Sequence, residues 1–220
     1  MHMPRITALE PQQRNPQRVN LYLDGEFACG LSRIVAAWLQ VGQELSPEKL
    51  ASLQADDEHE VVYQKALHFL SFRPRSSREV RDNLQRRGIA AELVEETIAR
   101  LQADKLLDDQ AFTRAWVENR NTFRPRSKSA LRMELRRKGI SDELIQSTLD
   151  EQVDEEALAL EAARKQARRY AGLEWPDFRR KLGEFLARRG FSYTILAPVV
   201  SQVWKEFQTA DTGNPNENKE

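Results

Sequence analysis

The side chains with the greatest capacity for chemistry in this chain are three histidines and a single cysteine. His2, His59 and His68 have no cysteine or second histidine at the spacing of metal ligands. Cys29 has no partner for an intrachain disulfide, and it lies in an alternating apolar segment, where a thiol packs as a small apolar group. These residues predict neither a metal site nor a disulfide framework.

Two pairs of adjacent carboxylates and a few scattered glycines are the other candidates for an active site. Glu95-Glu96 and Asp108-Asp109 are neighbours along the chain, and neighbouring residues on a helix do not face each other. Each pair therefore suits a helix cap or a solvated face. No glycine-rich phosphate loop is present, and no nucleophile has a partnered base. We predict that the chain is not an enzyme, uses no cofactor and works by binding other macromolecules.

The sequence repeats with a period of 51 residues. Phe-Arg-Pro-Arg-Ser begins at Phe72 and again at Phe123, and a basic-basic-Gly triplet ends at Gly88, Gly139 and Gly190. Apolar residues recur in the same register. Self-similarity at one fixed period is typical of repeat proteins, so the sequence predicts three tandem modules, each made of three helices.

The middle helix of the first module has recognisable ends. Ser76 and Glu79 form a capping-box pattern at its start. Arg86 and Arg87 suit the negative end of the helix dipole, and Gly88 supplies the left-handed residue that ends a helix. The sequence leaves open whether this triplet only caps the helix or also binds a partner. The apolar stripes of the modules predict four buried side chains: Leu84, Ile98, Leu135 and Leu149.

The first fifty residues follow a different pattern. Residues 18–23 and 26–31 alternate between apolar and polar, and Asp24-Gly25 between them is a strong hairpin signal. Residues 6–9 are a candidate third strand. This segment therefore predicts a small β-hairpin at the start of the chain.

The predicted fold class is mainly all-α, with three tandem three-helix repeats in an elongated array after the small β-hairpin and helix. That helix is expected at residues 32–40, and a break is expected at residues 56–60 before the repeats. The predicted segments are 1–54 (hairpin plus helix), 55–107, 108–153 and 154–208 (repeats 1 to 3) and 209–220 (a polar, disordered tail).

The charges are segregated although the chain as a whole is neutral, with 34 basic and 34 acidic residues. Residues 72–88 carry six arginines against two acids, a charge of +4, and residues 123–139 reach +6. The third helices are acidic, with −2 over residues 89–101 and −4 over residues 140–153. Two interpretations follow: the neighbouring helices neutralise each other, or the middle helices form a basic stripe that faces an anionic partner.

Several short motifs occur in a fixed order between residues 73 and 116: Arg73-Pro74-Arg75-Ser76, Glu79-Val80-Arg81, Leu84, Arg87-Gly88, Leu101, Leu107-Asp108-Asp109, Phe112, Ala115 and Trp116. In order and spacing they resemble the RecX family, bacterial regulators of the RecA recombinase. The resemblance covers most of residues 60–207, and the N-terminal hairpin is similar to the extension of longer members. Lys105 stands where the family usually has Gly, and Trp116 stands where Tyr is usual.

The resemblance implies a cytoplasmic, non-enzymatic regulator of recombination and DNA repair. Such a protein would bind the RecA–DNA filament and inhibit strand exchange and the filament's ATPase. Single- or double-stranded DNA is a further expected partner, and no membrane is. The alternative is a sequence-independent DNA-binding repeat protein with no recombinase partner.

The expected partner-binding residues are the cations of the two basic middle segments. They are Arg73, Arg75, Arg78, Arg124, Arg126, Lys128, Arg132 and Arg136.

Overall fold

The computed structural model describes residues 3–212, and the side chains of residues 3–209. The chain divides into two compact units, with the boundary between Leu107 and Asp108. The described residues form nine α-helices and one three-stranded sheet, so the predicted mainly helical fold is confirmed. None of these helices is both long and apolar enough to cross a membrane.

The first unit begins with an antiparallel sheet in the order β1-β2-β3. The strands are β1 (Ile6–Gln12), β2 (Asn15–Leu23) and β3 (Glu26–Ser32). Asp24 and Gly25 have φ angles of 50° and 89°, as the left-handed residues of a tight hairpin turn require. Strand β1 is the third strand that the sequence suggested at residues 6–9, so that prediction is confirmed. Within the described residues, no strand lies beyond Ser32.

The helix predicted at residues 32–40 is wrong in extent. Only a 3₁₀ helix at Val35–Trp38 forms there, and Ala36 is its one buried residue. Trp38 is 88% exposed. Val35, Ala36 and Leu39 pack against the core of the sheet, but a segment this short is only marginally stable as an α-helix.

The break predicted at residues 56–60 is also wrong, because helix α1 (Pro47–Leu70) runs through it without interruption. Asp57 accepts a hydrogen bond from Arg18 Nη2 at 2.7 Å and another from the backbone N–H of Ser32 at 2.5 Å. Glu60 accepts from Arg100 Nη1 at 3.0 Å. The acidic cluster that resembled a loop is partly a set of buried partners for distant residues.

The remaining helices fall into threes, as predicted. The first module uses α1 with α2 (Ser77–Gln85) and α3 (Ala91–Ala103). The second contains α4 (Asp109–Phe123), α5 (Lys128–Arg137) and α6 (Asp142–Gln152). The third contains α7 (Glu155–Ala167), a 3₁₀ extension (Arg168–Tyr170), α8 (Trp175–Arg188) and α9 (Tyr193–Thr212).

Each module has its own apolar core, and the sheet has a fourth. The four side chains predicted to be buried are at most 4% exposed, so this prediction is confirmed. The third core is the most aromatic, with the Phe178 ring 4.9 Å from the Trp204 ring.

Glycine ends all three middle helices. Gly88, Gly139 and Gly190 have φ angles of 77°, 78° and 90°, as the sequence predicts. Gly190 is required for a second reason, because a Cβ there would lie 2.5 Å from the Ser127 hydroxyl. The backbone N–H of Ser127 also donates to the carbonyl of Arg189 at 3.1 Å. In the second unit, the end of α8 therefore packs directly against the start of α5.

Helix α9 continues to Thr212, past the predicted start of the disordered tail at residue 209. The rest of that predicted tail, residues 213–220, lies outside the described residues.

Leu135→Ala should lower the free energy of unfolding by roughly 2–5 kcal/mol, because it leaves a cavity at a fully buried site. Leu106→Ala is the matched control, since Leu106 is 51% exposed. Denaturant unfolding of both variants checks this. Equal losses in the two variants would contradict the assignment of Leu135 to the core.

Lys105 adopts a φ angle of 57°, in the left-handed region that disfavours a side chain. Lys105→Gly should stabilise the chain by several tenths of a kcal/mol to about 1 kcal/mol, because relief of strain exceeds the added freedom of the unfolded chain. Gly88→Ala should destabilise the chain, because alanine is strained at a φ angle of 77°. The added Cβ would meet no atom within 4 Å, so backbone strain alone would cause the loss. Thermal melts of both variants test the pair of signs.

Candidate functional site

In the first unit, Arg73 is held at the start of helix α2. Its Nη2 lies 2.8 Å from Oε1 of Glu79, and Glu79 also completes the capping box with Ser76. The predicted capping box is therefore present, and Arg73 reinforces it. Any anionic partner of Arg73 would have to compete with this carboxylate.

Arg75 is half-buried and lies against an aromatic ring. Its guanidinium carbon lies 3.8 Å from the centre of the Phe69 ring, and its Nε is buried without a hydrogen bond in the described structure. Burial lowers the pKa of Arg75, and the positive charge of Arg73 lowers it further. The Arg75 side chain therefore packs against the turn before α2 and presents little of its surface to a partner.

Arg78 and Arg81 lie on helix α2 with different partners. Arg78 is exposed, and its Nε is 3.9 Å from Asp82. Arg81 Nε donates to Glu95 of α3 at 2.6 Å, and this hydrogen bond lowers the pKa of Glu95. The Arg81–Glu95 pair joins helix α2 to the acidic helix α3.

In the second unit, Glu134 collects three donors on one half-buried carboxylate. Arg120 Nε lies 2.8 Å from it, Arg126 Nε 3.1 Å and Trp116 Nε1 2.9 Å. Lys138 lies over the Trp116 ring at 5.1 Å. Trp116 therefore adds a hydrogen bond and an aromatic face to the module.

The other cations of α5 lie against α6. Lys128 Nζ is 3.4 Å from Asp150, and Arg136 Nε is 2.7 Å from Asp142. Arg132 donates to the side chain of Gln146. These contacts are those expected if neighbouring helices neutralise each other.

Arg124 differs from the other predicted site residues. It is exposed, and it has no acidic partner in the described part of the chain.

Arg189, at the end of α8, lies close enough to Arg124 and Arg126 to be affected by their charges. Burial lowers the pKa of Arg189, and the charges of Arg126 and then Arg124 lower it further. Arg189 Nη1 donates to the carbonyl of Pro125 at 3.0 Å. Arg124, Arg126 and Arg189, hereafter the arginine cluster, thus converge where the end of α8 meets the start of α5.

The structure adds two phenylalanines that the sequence analysis did not select. Phe72 and Phe123 occupy equivalent positions in the first two modules and are 69% and 74% exposed. Each is followed directly by an arginine, Arg73 or Arg124. An exposed aromatic ring beside a cation is a combination that binds single-stranded nucleic acid through stacking and charge. The repeated Phe-Arg-Pro-Arg string was the available signal.

The candidates for metal or thiol chemistry remain isolated. Among the described residues, no three His, Cys, Asp or Glu side chains lie together as a metal site would require. Burial raises the pKa of the Cys29 thiol, while a hydrogen bond with Gln54 acts in the opposite direction. This environment does not favour a reactive thiolate.

Comparison with known proteins places the whole arrangement in one family. Models of the first, second and third three-helix domains of RecX match residues 63–101, 108–149 and 154–196, and the model of the regulatory protein RecX N-terminal domain matches residues 4–46. The regulatory protein RecX of Bacillus licheniformis is 31% identical, over 91% of this chain and 78% of its own length. This chain belongs to the RecX family.

Other RecX proteins show a similar relation. The regulatory protein RecX of Bacillus subtilis is 30% identical over 91% of this chain and 78% of its own length. A crystal structure of regulatory protein RecX matches at a TM-score of 0.69 and 26% identity, covering 94% of this chain and 100% of that one. The crystal structure of RecX from Lactobacillus salivarius matches at a TM-score of 0.59 and 25% identity, covering 67% of this chain and 97% of that one. Both sequence and fold thus support the RecX assignment.

The ion pairs between helices should make the stability of this RecX protein fall in acid. Hydrogen bonds from Arg81, Arg136 and Arg164 lower the pKa of Glu95, Asp142 and Glu206, whose ordinary values are 4.5, 3.8 and 4.5. A carboxylate with a depressed pKa in the folded state stabilises the fold above its ordinary pKa, and this contribution is lost as the pH falls through the depressed value.

Melting temperatures measured between about pH 7 and about pH 2.5 should therefore begin to fall near these ordinary pKa values. The triple variant Glu95→Gln, Asp142→Asn and Glu206→Gln should show a shallower fall, because the paired carboxylates are gone. An unchanged slope in that variant would show that other groups control the acid transition.

Proposed function

We propose that this protein binds the RecA–DNA filament in the cytoplasm and inhibits strand exchange and the filament's ATPase, without catalytic chemistry of its own. Membership of a family of regulatory proteins supports a regulatory role. The observation that carries the proposal is the exposed ring of Phe123, which directly precedes Arg124 of the arginine cluster. Together they offer an aromatic face and unneutralised positive charge to an anionic partner.

Electrostatics favours a nucleic-acid component in that partner. Arg124 and Arg126 both lower the pKa of Arg189, so a phosphate placed between these side chains would relieve their mutual repulsion. The Phe123 ring, 74% exposed, is available to stack on a base of a single strand. Phe72, 69% exposed, holds the equivalent position in the first unit, where the arginine that follows it, Arg73, is paired with Glu79.

The predicted site residues do not contribute equally. Arg73, Arg126, Lys128 and Arg136 already have carboxylate partners, and exchanging one anion for another in water gains little. Arg124 has no such partner and gains the most from a bound phosphate. We therefore place the centre of the binding surface at Arg124, with the paired cations around it.

The alternative is a sequence-independent DNA-binding protein without a recombinase partner. The same observation supports it, because an exposed phenylalanine beside arginines suits bare single-stranded DNA equally well. Binding to bare DNA at rising salt, followed by binding to recombinase with and without DNA, separates the two functions. A filament regulator should bind recombinase–DNA more tightly than either component alone.

Arg124→Glu should reduce inhibition of strand exchange and ATPase at least several-fold while the protein melts normally, because Arg124 supports no ion pair in the described fold. It should also lower the salt dependence of DNA binding by about one unit of slope, as expected for one lost phosphate contact. The measurement is a titration of wild type and variant into the recombinase assay.

A charge swap outside the proposed surface, Arg164→Glu with Glu206→Arg, is the control. It keeps an ion pair between α7 and α9 and leaves the net charge unchanged, so it should melt and inhibit like the wild type. Full inhibition by Arg124→Glu would overturn the proposed surface. Reversal of Arg126 or Lys128 is less informative, because each would also set like charges against Glu134 or Asp150.

A further inference from the structure

A cleft of about 620 Å³ lies in the first unit, between the N-terminal sheet and helix α1. Strand β2 contributes Asn15 and Gln17, the end of β3 contributes Ser32 and the residues after it, and α1 forms the opposite wall. The end of α2 closes one side with Arg87. Its volume falls within the range typical of small-ligand sites.

Four cations line this cleft: Arg18, Arg33, Lys65 and Arg87. Arg18 is paired with Asp57, whereas the other three come from separate segments, are exposed, and form no ion pair within the described chain. The acidic residues at the cleft are already engaged. Asp57 binds Arg18, and Glu60, which lines the cleft, binds Arg100. The cleft therefore has an excess of positive charge that the protein itself does not neutralise.

Neutral donors complete the lining. The side chains of Asn15, Gln17 and Gln64 supply amide groups, and Ser32 supplies a hydroxyl that is buried without a hydrogen bond in the described structure. A buried hydroxyl normally has a partner, because leaving it unsatisfied is costly. A bound oxyanion would provide one.

The arrangement of donors favours a phosphate over a carboxylate. A tetrahedral phosphate presents oxygens in several directions, and here donors approach from the sheet, from α1 and from the end of α2. Ile34 and Val61 add an apolar edge that could contact a sugar or a base. A planar carboxylate accepts hydrogen bonds mainly in its own plane, so it matches donors from three directions less well than a phosphate does.

We propose that this cleft binds the phosphate of a nucleotide unit, either in a nucleic-acid strand or in a free nucleotide. It is a second anion site, separate in sequence from the arginine cluster, and it gives the N-terminal sheet a role in binding. Arg87 is the second basic residue of the Arg-Arg-Gly triplet, so that triplet serves both a helix end and a ligand.

The experiment uses the full chain with three probes: ADP, an oligothymidylate and a glutamate peptide, each titrated by calorimetry. The double variant Lys65→Glu with Arg87→Glu should weaken binding of ADP or of the oligonucleotide by on the order of tenfold or more, since each charged hydrogen bond contributes strongly. The matched control is Arg168→Glu with Arg169→Glu, which makes the same charge change in the second unit and should leave ADP binding intact.

The two phosphate sources give different results. Variant-sensitive binding of ADP indicates a free nucleotide, whereas variant-sensitive binding of the oligonucleotide alone indicates a nucleic-acid backbone. Phosphate binding that the double variant does not change would overturn the proposal. Variant-sensitive binding of the glutamate peptide in preference to both phosphate probes would also overturn it, in favour of an acidic protein partner.

A second measurement does not depend on the folding of any variant. In the wild-type chain, the phosphate probe that binds should shift the side-chain amide resonances of Asn15, Gln17 and Gln64 in an NMR titration. Shifts confined to the neighbourhood of Arg124 would contradict the cleft. The filament proposal is tested separately, because it depends on Arg124 and not on these residues.

Discussion

The middle helices α2 and α5 are too short to be stable alone, and most of the architecture follows from this constraint. They contain 9 and 10 residues, below the roughly 12–15 residues that an isolated helix needs in water. Each therefore depends on a capped start, a glycine end and one fully buried stripe, such as Leu131 and Leu135 of α5. The first and third helices of each module supply the surface that covers this stripe.

The same dependence explains the distribution of charge. A helix that buries one stripe exposes the rest of its surface. In α5 that surface is basic, whereas in the first module the excess of arginine lies in the residues that flank α2, which itself has two arginines and two acids. The third helices pack beside it and place Glu95, Asp142 and Asp150 within reach of Arg81, Arg136 and Lys128. Exposed pairs of this kind contribute little stability each, but they determine which cations are left for a partner. The net charge of the two basic segments therefore overstates how many of their cations are unpaired. Among the predicted site residues, Arg124 is exposed and has no carboxylate partner within the described chain.

The local features of the fold could be predicted from the sequence because neighbouring residues determine them. Capping at Ser76, the left-handed glycines and the helical stripes are of this kind. The break expected near Asp57 failed because the partners of that acidic cluster, such as Arg18, lie about forty residues away. The site was only partly predictable for the same reason. Composition reveals that α5 is basic, but only the folded chain shows that Arg189 approaches Arg124 while Arg136 is held by Asp142.

The basic-basic-Gly triplets show how one local motif can serve two purposes. Capping is common to all three, since each glycine adopts the left-handed conformation that ends its helix. The second basic residue makes a different contact in each module. Arg87 lines the cleft beside the sheet, Lys138 lies over the Trp116 ring, and Arg189 binds the carbonyl of Pro125. Because the glycine alone is sufficient to end the helix, the adjacent side chain can make a different contact in each module. Capping is therefore only part of the role of these residues, and a repeated sequence can build three chemically distinct surfaces.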